Sequence, residues 1–500
     1  LYCKAKMLQW DKPEETKNII ILMGGFHVQL NFAKVIGQHM SESGLQDIFE
    51  ESGVYGKNTA ENIMKGKGWN RIARAHKLAL EALWKILWSN FIEWTEENDC
   101  HVNQNTLFQA QEVARLLKQK DFPKVIEIYH CLTDSCEEIN CLLLEYEKAN
   151  SDKPTFYFWR QYMELVSILL AFTRAMRNGN WKLYLAAFKA MMPWFAVYDH
   201  THYTRWGTVF IADMECLNLT APEIYEDFLR GRFVARETNH NFNQVPYDLA
   251  LEHVNRSGKV AGGLVGITRN DTARNRWSLT YNQRASLADE TRALYGLVHD
   301  DIDDEDGHKD CLTSRITRDR NDVNKLFEEF QRFRVFQQEN PYDLVALTTG
   351  DVAPENVCCD LTEALKNGLE ILSTFVDSRL IKKDTSFHDS LSKKKSKTFS
   401  SLYNTDVQRK AGGERSVRPD RDIFRRIIVS MESGRDVNID ELLQKELCSV
   451  PLSLATTEST LRCTNKAEIA SILEEGAKVA ELYESDLLTC SIIDGMALVQ

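Results

Sequence analysis

Residues 19–27 read IIILMGGFH, and the fold turns on how this stretch is read. Ile19–Met23 is a continuous apolar run that ends at Gly24-Gly25, and Val28–Met40 then carries apolar groups at helical spacing. A buried strand, a sharp glycine turn and a helix in that order predict an α/β core, with functional side chains at the strand's carboxyl end. His27 stands at that end. It is read either as a catalytic or metal-proximal imidazole or as a ring that merely caps the turn.

Downstream, the pattern from Thr59 to Ala190 is helical. Trp69–Trp94 repeats apolar groups at Ile72, Leu80, Leu83, Trp84, Leu87 and Phe91; Phe158–Met176 is a second strong helix, and a third tract ends at Pro193. Aromatic and leucine stripes of this kind are read as core. Helices resume over Val323–Phe336, Leu361–Phe375, Ile423–Met431 and Glu468–Tyr483.

A second informative stretch is Phe242–Gly266, FNQVPYDLALEHVNRSGKVAGGLVG. Pro246 and Asp248 suit the first turn of a helix, where a missing N–H is harmless and a carboxylate complements the dipole. Tyr247, Ala250, Leu251 and Val254 make an apolar stripe, and Asp248, Glu252, Asn255 and Lys259 a polar one. Two carboxylates one turn apart, with His253 and Asn255 beside them, read as a metal or acid/base site or as the wet face of an amphipathic helix. A cationic tract follows, with Arg256, Lys259, Arg269, Arg274, Arg276 and Arg284 interleaved with Trp277 and Tyr281. Cations next to carboxylates, with rings that can stack a base, suit a phosphodiester-handling surface.

The chain has 500 residues, 43% of them hydrophobic, and a net charge of −12. That charge rules out nucleic-acid binding through bulk positive potential and leaves local basic patches to do it. No apolar run approaches the length of a membrane span. The twelve cysteines are scattered, with no Cys-x-x-Cys pair, which favours a reduced, intracellular chain over a zinc site. Asp199-His200-Thr201-His202 places two imidazoles on one face if the segment is extended. Walker, dinucleotide-binding, serine-elbow and His-Glu-x-x-His motifs are all missing, so those chemistries have no support. With neither an initiator methionine nor a finished final strand, the sequence reads as part of a longer product.

Several blocks carry a resemblance: LYCKA at the start, LMGGFHVQLNFAKVIG with SGLQDIFEESGVYG, GNWKLYLAAFKAMMPWF with VYDHTHYTRW, the Phe242–Gly266 stretch, and the closing SIIDGMALVQ. Together they resemble a family of transposon-derived proteins from repeat-rich animal genomes, similar to DDE-type transposases. The resemblance implies a helix-rich α/β (mixed α+β) fold, with an RNase H-like core sheet interrupted by an all-helical insertion and followed by a helical C-terminal region. The implied organisation is core over residues 1–58 and 196–298, insertion over 59–195 and an acidic linker over 299–320 around DDIDDED. A mainly helical region would fill 321–484, with a basic mobile stretch at 382–420 containing KKKSK, and a further α/β domain would begin at 485–500.

The same resemblance implies metal-dependent DNA strand cleavage and transfer in the nucleus, with Mg²⁺ or Mn²⁺ as cofactor, DNA as partner and a second copy of the chain as a candidate partner. Glu252 falls on the family's metal-binding glutamate, with Asp248 or Asp199 as auxiliary carboxylates and His27 as a neighbour. Arg256, Lys259, Arg269, Arg274, Arg276 and Trp277 would contact nucleic acid. Related elements carry an aspartate before the histidine where this chain has Gly25 and Phe26, and their LYCKA block follows an acidic residue. The alternative is therefore a catalytically inactive, domesticated relative that binds nucleic acid or protein.

Overall fold

A computed structural model describes residues 2–98, 139–236, 242–258, 271–294 and 312–402, with a few isolated positions besides. The chain divides into two compact units, Leu1–Thr405 and Asp406–Gln500, and nearly all of the described residues belong to the first.

That first unit is dominated, among its described residues, by helices: α1 (Tyr2–Asp11), α2 (Gly25–His39), α3 (Lys57–Met64), α4 (Trp69–Glu97), α5 (Pro154–Asn178), α6 (Trp181–Val197), α7 (Thr201–Glu215), α8 (Tyr247–Gly258), α9 (Asp271–Leu279), α10 (Tyr281–Leu294), α11 (Thr313–Arg332) and α12 (Ala364–Phe375), with shorter helical turns between some of them. The sheet among these residues is a two-stranded antiparallel pair, β1 (Ala235–Arg236) and β2 (Gln244–Val245), with Ala235 opposite Val245. The helix-rich expectation holds, whereas an RNase H-like mixed sheet is not formed among the described residues. Ile19–Met23 forms neither helix nor strand, and Ile19 is exposed. A short apolar run shows that a segment is covered; it does not show that a neighbouring strand covers it.

One hydrophobic core runs from Met23 to Phe399 and takes side chains from α2 through α7, α11 and the approach to α12. The segments expected as core, insertion and accessory region thus share an interior. Helix α5 starts with Pro154 at its first turn and ends at Gly179 in the left-handed conformation (φ 65°), the usual pairing of start and stop residues. Helix α6 is capped by Asn180, whose side chain accepts the Leu183 N–H, and it continues through Pro193 to Val197 instead of ending there. Trp194, Phe195 and Val197 are fully buried beyond the proline, and that burial outweighs the roughly 3 kcal/mol that an interior proline costs. Helix α12 crosses α6 at this point. A Cβ on Gly368 would collide with the Pro193 carbonyl oxygen, so only glycine permits the approach.

Helix α11 begins at Thr313, inside the span expected to be an acidic linker. Its Asp319 and Asp322 grip Arg74 of α4, whose Nε lies 2.9 Å from Asp319 and whose side chain is 11% exposed. Asp300–Asp306 lies outside the described residues.

The basic stretch expected to be mobile from residue 382 is fastened where it is described. Lys394 and Lys395 donate their backbone N–H groups to the two oxygens of Asp199 at 2.7 and 3.0 Å. Ser396 Oγ bonds Val197 O, and the Lys397 N–H bonds Asp360.

Candidate functional site

Helices α2 and α8 meet end to end at Asp248. Gly24 precedes α2 and has no side chain to cap it, so the helix's first N–H groups need acceptors from elsewhere. Asp248 supplies them from the first turn of α8: its Oδ1 accepts the Phe26 N–H at 3.1 Å and its Oδ2 the His27 N–H at 3.0 Å. Two positive helix ends therefore share one carboxylate. The double glycine makes room for it, since a Cβ on Gly24 would lie 2.5 Å from Asp248 Oδ2 and one on Gly25 2.6 Å from Met176 Sδ.

Oδ2 also lies 2.9 Å from His27 Nδ1, with the ring 57% and the carboxylate 18% exposed. Beside an ionised carboxylate Nδ1 carries the hydrogen, and in the neutral form of the ring Nε2 is then an acceptor. Thus His27 sits in the first turn of a helix, not at a strand end, and its backbone N–H and its ring both meet the capping carboxylate.

His27 lines a cavity of about 510 Å³. Trp181, Tyr184, Tyr203 and Trp206 supply aromatic walls, and Met23 and Met176 fill in between them. Trp181 and Tyr184 lie nearly parallel, at 16° with centroids 5.5 Å apart. Tyr203 Oη accepts a hydrogen bond from Asn31 Nδ2 at 3.1 Å, and burial above all pushes its phenol up to about 12. Tyr2, also in the lining, has a buried hydroxyl with no hydrogen-bond partner among the described residues, and burial raises its pKa further still. Both phenols therefore keep their hydrogens at neutral pH. Among the described residues, Asp248 is the one carboxylate or cation in the lining.

Of the predicted site residues, His27 and Asp248 come together and the others do not join them. Glu252 lies one turn beyond Asp248 with its side chain exposed, outside the cavity lining. Asp199 borders a separate polar cavity beside Lys394, and both its oxygens are occupied by backbone N–H groups. His200 and His202 do not share an extended face, because α7 starts at Thr201 and turns them apart. His200 bonds Gln38 Oε1, and burial lowers its pKa to about 4; His202 lines the aromatic cavity. No group of three His, Cys, Asp or Glu suited to a metal occurs among the described residues. With Asp248 and Asp199 apart and engaged by N–H donors, these residues do not fit a shared Mg²⁺ or Mn²⁺ site.

In the cationic tract, Arg256 and Arg276 are exposed, and Trp277 stacks under Arg284 at 4.5 Å. Arg274 lies on α9, and Lys259 and Arg269 fall outside the described residues. Among the described residues, no helix is long and apolar enough to cross a membrane. The aromatic cavity is not legible in the sequence, although Tyr2, Trp181, Tyr203 and Trp206 all stand within the blocks that carry the resemblance.

Neither the curated proteins nor the solved structures contain a match to this chain. A family model does match, over residues 1–446, so the chain belongs to the family described as Domain of unknown function (DUF8702).

Proposed function

We propose that this chain is a mobile-element-derived, transposase-like protein that binds DNA in the nucleus, with the cavity at the α2–α8 junction as its centre, and that it acts as an interaction module without cutting strands. The observation that carries this reading is convergence. Tyr2 and Cys3, Gly24–His27, His202–Trp206 and Pro246–Leu251 belong to four separate blocks of the resemblance, and all four blocks contribute to the lining of one cavity. Residues scattered over 250 positions gather there, as the parts of a working site do and surface ornament does not.

The non-catalytic form is favoured by the carboxylates. A two-metal strand-transfer site needs several acidic groups free to ligate together. Asp248 is committed to two helix N–H groups and an imidazole, and Asp199 to the 394–395 backbone. DNA contact would fall to the exposed Arg256 and Arg276 outside the cavity.

Fluorescence anisotropy of a labelled duplex, titrated at several salt concentrations, tests the reading. Affinity should fall with salt, and Arg256→Ala with Arg276→Ala should flatten the slope by about 0.9 for each phosphate left without its cation. Salt-independent binding, or none, would refute DNA binding. Metal-dependent nicking that disappears in Glu252→Gln would restore strand cleavage and overturn the non-catalytic assignment.

A further inference from the structure

We propose that the α2–α8 cavity binds a neutral, planar nitrogen heterocycle of nucleobase size, either as a free nucleoside or as a base swung out of a strand. The inference rests on the cavity being the functional centre and adds the class of ligand it takes.

The cavity has the shape for such a guest. At about 510 Å³ it falls within the roughly 300–1,000 Å³ of small-molecule sites, and its apolar lining is of the kind that buries most of a ligand. Flat aromatic walls select a flat guest, because offset stacking rewards ring on ring, and base–aromatic stacking is worth about 1–3 kcal/mol per base. Trp181 and Tyr184 already hold the near-parallel arrangement that such a guest would extend.

Charge narrows the class further. Among the described residues the lining offers no Lys or Arg, and the Asp248 carboxylate is met by two backbone N–H groups and the His27 ring. An anionic group inside would face that carboxylate with no cation in the lining to offset it, so any phosphate stays outside. A cationic guest would compete with N–H donors that already occupy Asp248. A neutral ring system meets neither obstacle.

The polar rim supplies recognition. His27 Nε2 is an acceptor once Nδ1–H is held by Asp248. Tyr203 receives its hydrogen bond from Asn31, so its own O–H is available to donate. The Tyr2 O–H is buried with no hydrogen-bond partner among the described residues. One acceptor and one donor suit the mixed edge of a nucleobase, where ring nitrogens and carbonyls accept and amino or imino groups donate. An aliphatic guest would leave both unused.

The test has two arms on the full chain. Calorimetric titration with adenosine, guanosine, cytidine and thymidine asks whether the cavity takes free nucleosides. Anisotropy compares a fully paired duplex with one carrying a single unpaired base. At least one nucleoside should saturate. Tyr203→Phe, which keeps the ring and removes the donor, should weaken that binding by about 2- to 13-fold, the worth of one net hydrogen bond. Leu251→Trp, at an exposed rim position (64% exposed), should block entry while leaving the fold intact. Leu369→Trp, exposed on α12 and away from the lining, should bind like the parent.

Tighter binding of the unpaired-base duplex, abolished in Leu251→Trp, would identify a base in a strand as the guest. Saturation by nucleoside with equal affinity for both duplexes would identify the free nucleoside. Failure of all four nucleosides and of the unpaired base to engage, or engagement indifferent to Leu251→Trp, overturns the proposal while salt-dependent duplex binding still stands. Loss of duplex binding with nucleoside saturation intact sinks the DNA reading and leaves the pocket.

Discussion

Replacing Gly24 by alanine should have opposite effects in two backgrounds. Gly24 has φ −63° and ψ 108°, a conformation alanine adopts freely, so the backbone itself gives no reason for a penalty. At such a position Gly→Ala ordinarily stabilises by about 0.4–1 kcal/mol through the unfolded state. Here the new Cβ would lie 2.5 Å from Asp248 Oδ2 and 3.0 Å from Cγ, so the carboxylate must withdraw from α2. Losing a cap costs about 0.5–2 kcal/mol, and two N–H groups together with the imidazole place this site at the upper end. Setting a loss of about 2 against a gain of about 0.7 gives net destabilisation of roughly 1 kcal/mol. In an Asp248→Ala background the carboxylate is gone and only the Cβ contact at 3.2 Å remains, so the same change should stabilise by up to about 0.4–1 kcal/mol. Urea unfolding of the four proteins, followed by tryptophan fluorescence with a shared m-value, measures the cycle. The expected swing between backgrounds is about 2 kcal/mol. Equal effects of Gly24→Ala with and without Asp248 would show that the carboxylate does not cap α2.

Arg74→Met should destabilise by roughly 1–3 kcal/mol, because Asp322, only 14% exposed, loses its cation, whereas Asp319 keeps Arg315 and Lys77; thermal unfolding reads this out. His39 and His76 are fully buried, and burial lowers their pKa values to about 3 and about 4. Because the folded values lie below the unfolded one near 6.5, stability is complete above that pH and declines as pH falls toward 4, by about 1.4 kcal/mol per unit for each histidine. Unfolding midpoints should fall from pH 7 to 6 and fall further from 6 to 5, and His76→Gln should remove one such increment. Asp199→Ala should free the backbone at Lys394 and Lys395, so that limited trypsinolysis cuts after them faster than in the parent. Gly37→Ala would drive a Cβ into the Met64 carbonyl oxygen, forcing α2 and α3 apart at a cost of at least about 1–3 kcal/mol, visible as a lowered unfolding midpoint.

Local rules make much of the helical frame legible. The stripe from Ile72 to Phe91 is core as its spacing implies, and Asp248 occupies the helix turn where a carboxylate belongs. What spacing does not carry is which group each polar side chain meets in space. On spacing alone Asp248 reads as a ligand on a wet face, yet the donors it satisfies lie 221 and 222 positions earlier. Asp199 reads as an auxiliary carboxylate and instead holds a distant lysine-rich backbone. Ile19–Met23 has the composition of a strand, but composition carries no information on whether another strand lies alongside. The cavity is hidden for a related reason: its walls are ordinary core-type residues that become a site only because the polypeptide leaves a space between them.

The separation between His27 and Asp248 also sets a timetable. At about 5–20 residues per second, 221 residues take roughly 11–44 seconds to synthesise. Throughout that interval the leading end of α2 has emerged and its acceptor has not. Nascent chains must carry an unfinished helix start, a half-walled cavity and the apolar faces that α5 and α6 later cover. This is the period in which a ribosome-associated holdase has most to protect, and a stall placed before codon 248 would trap the chain there.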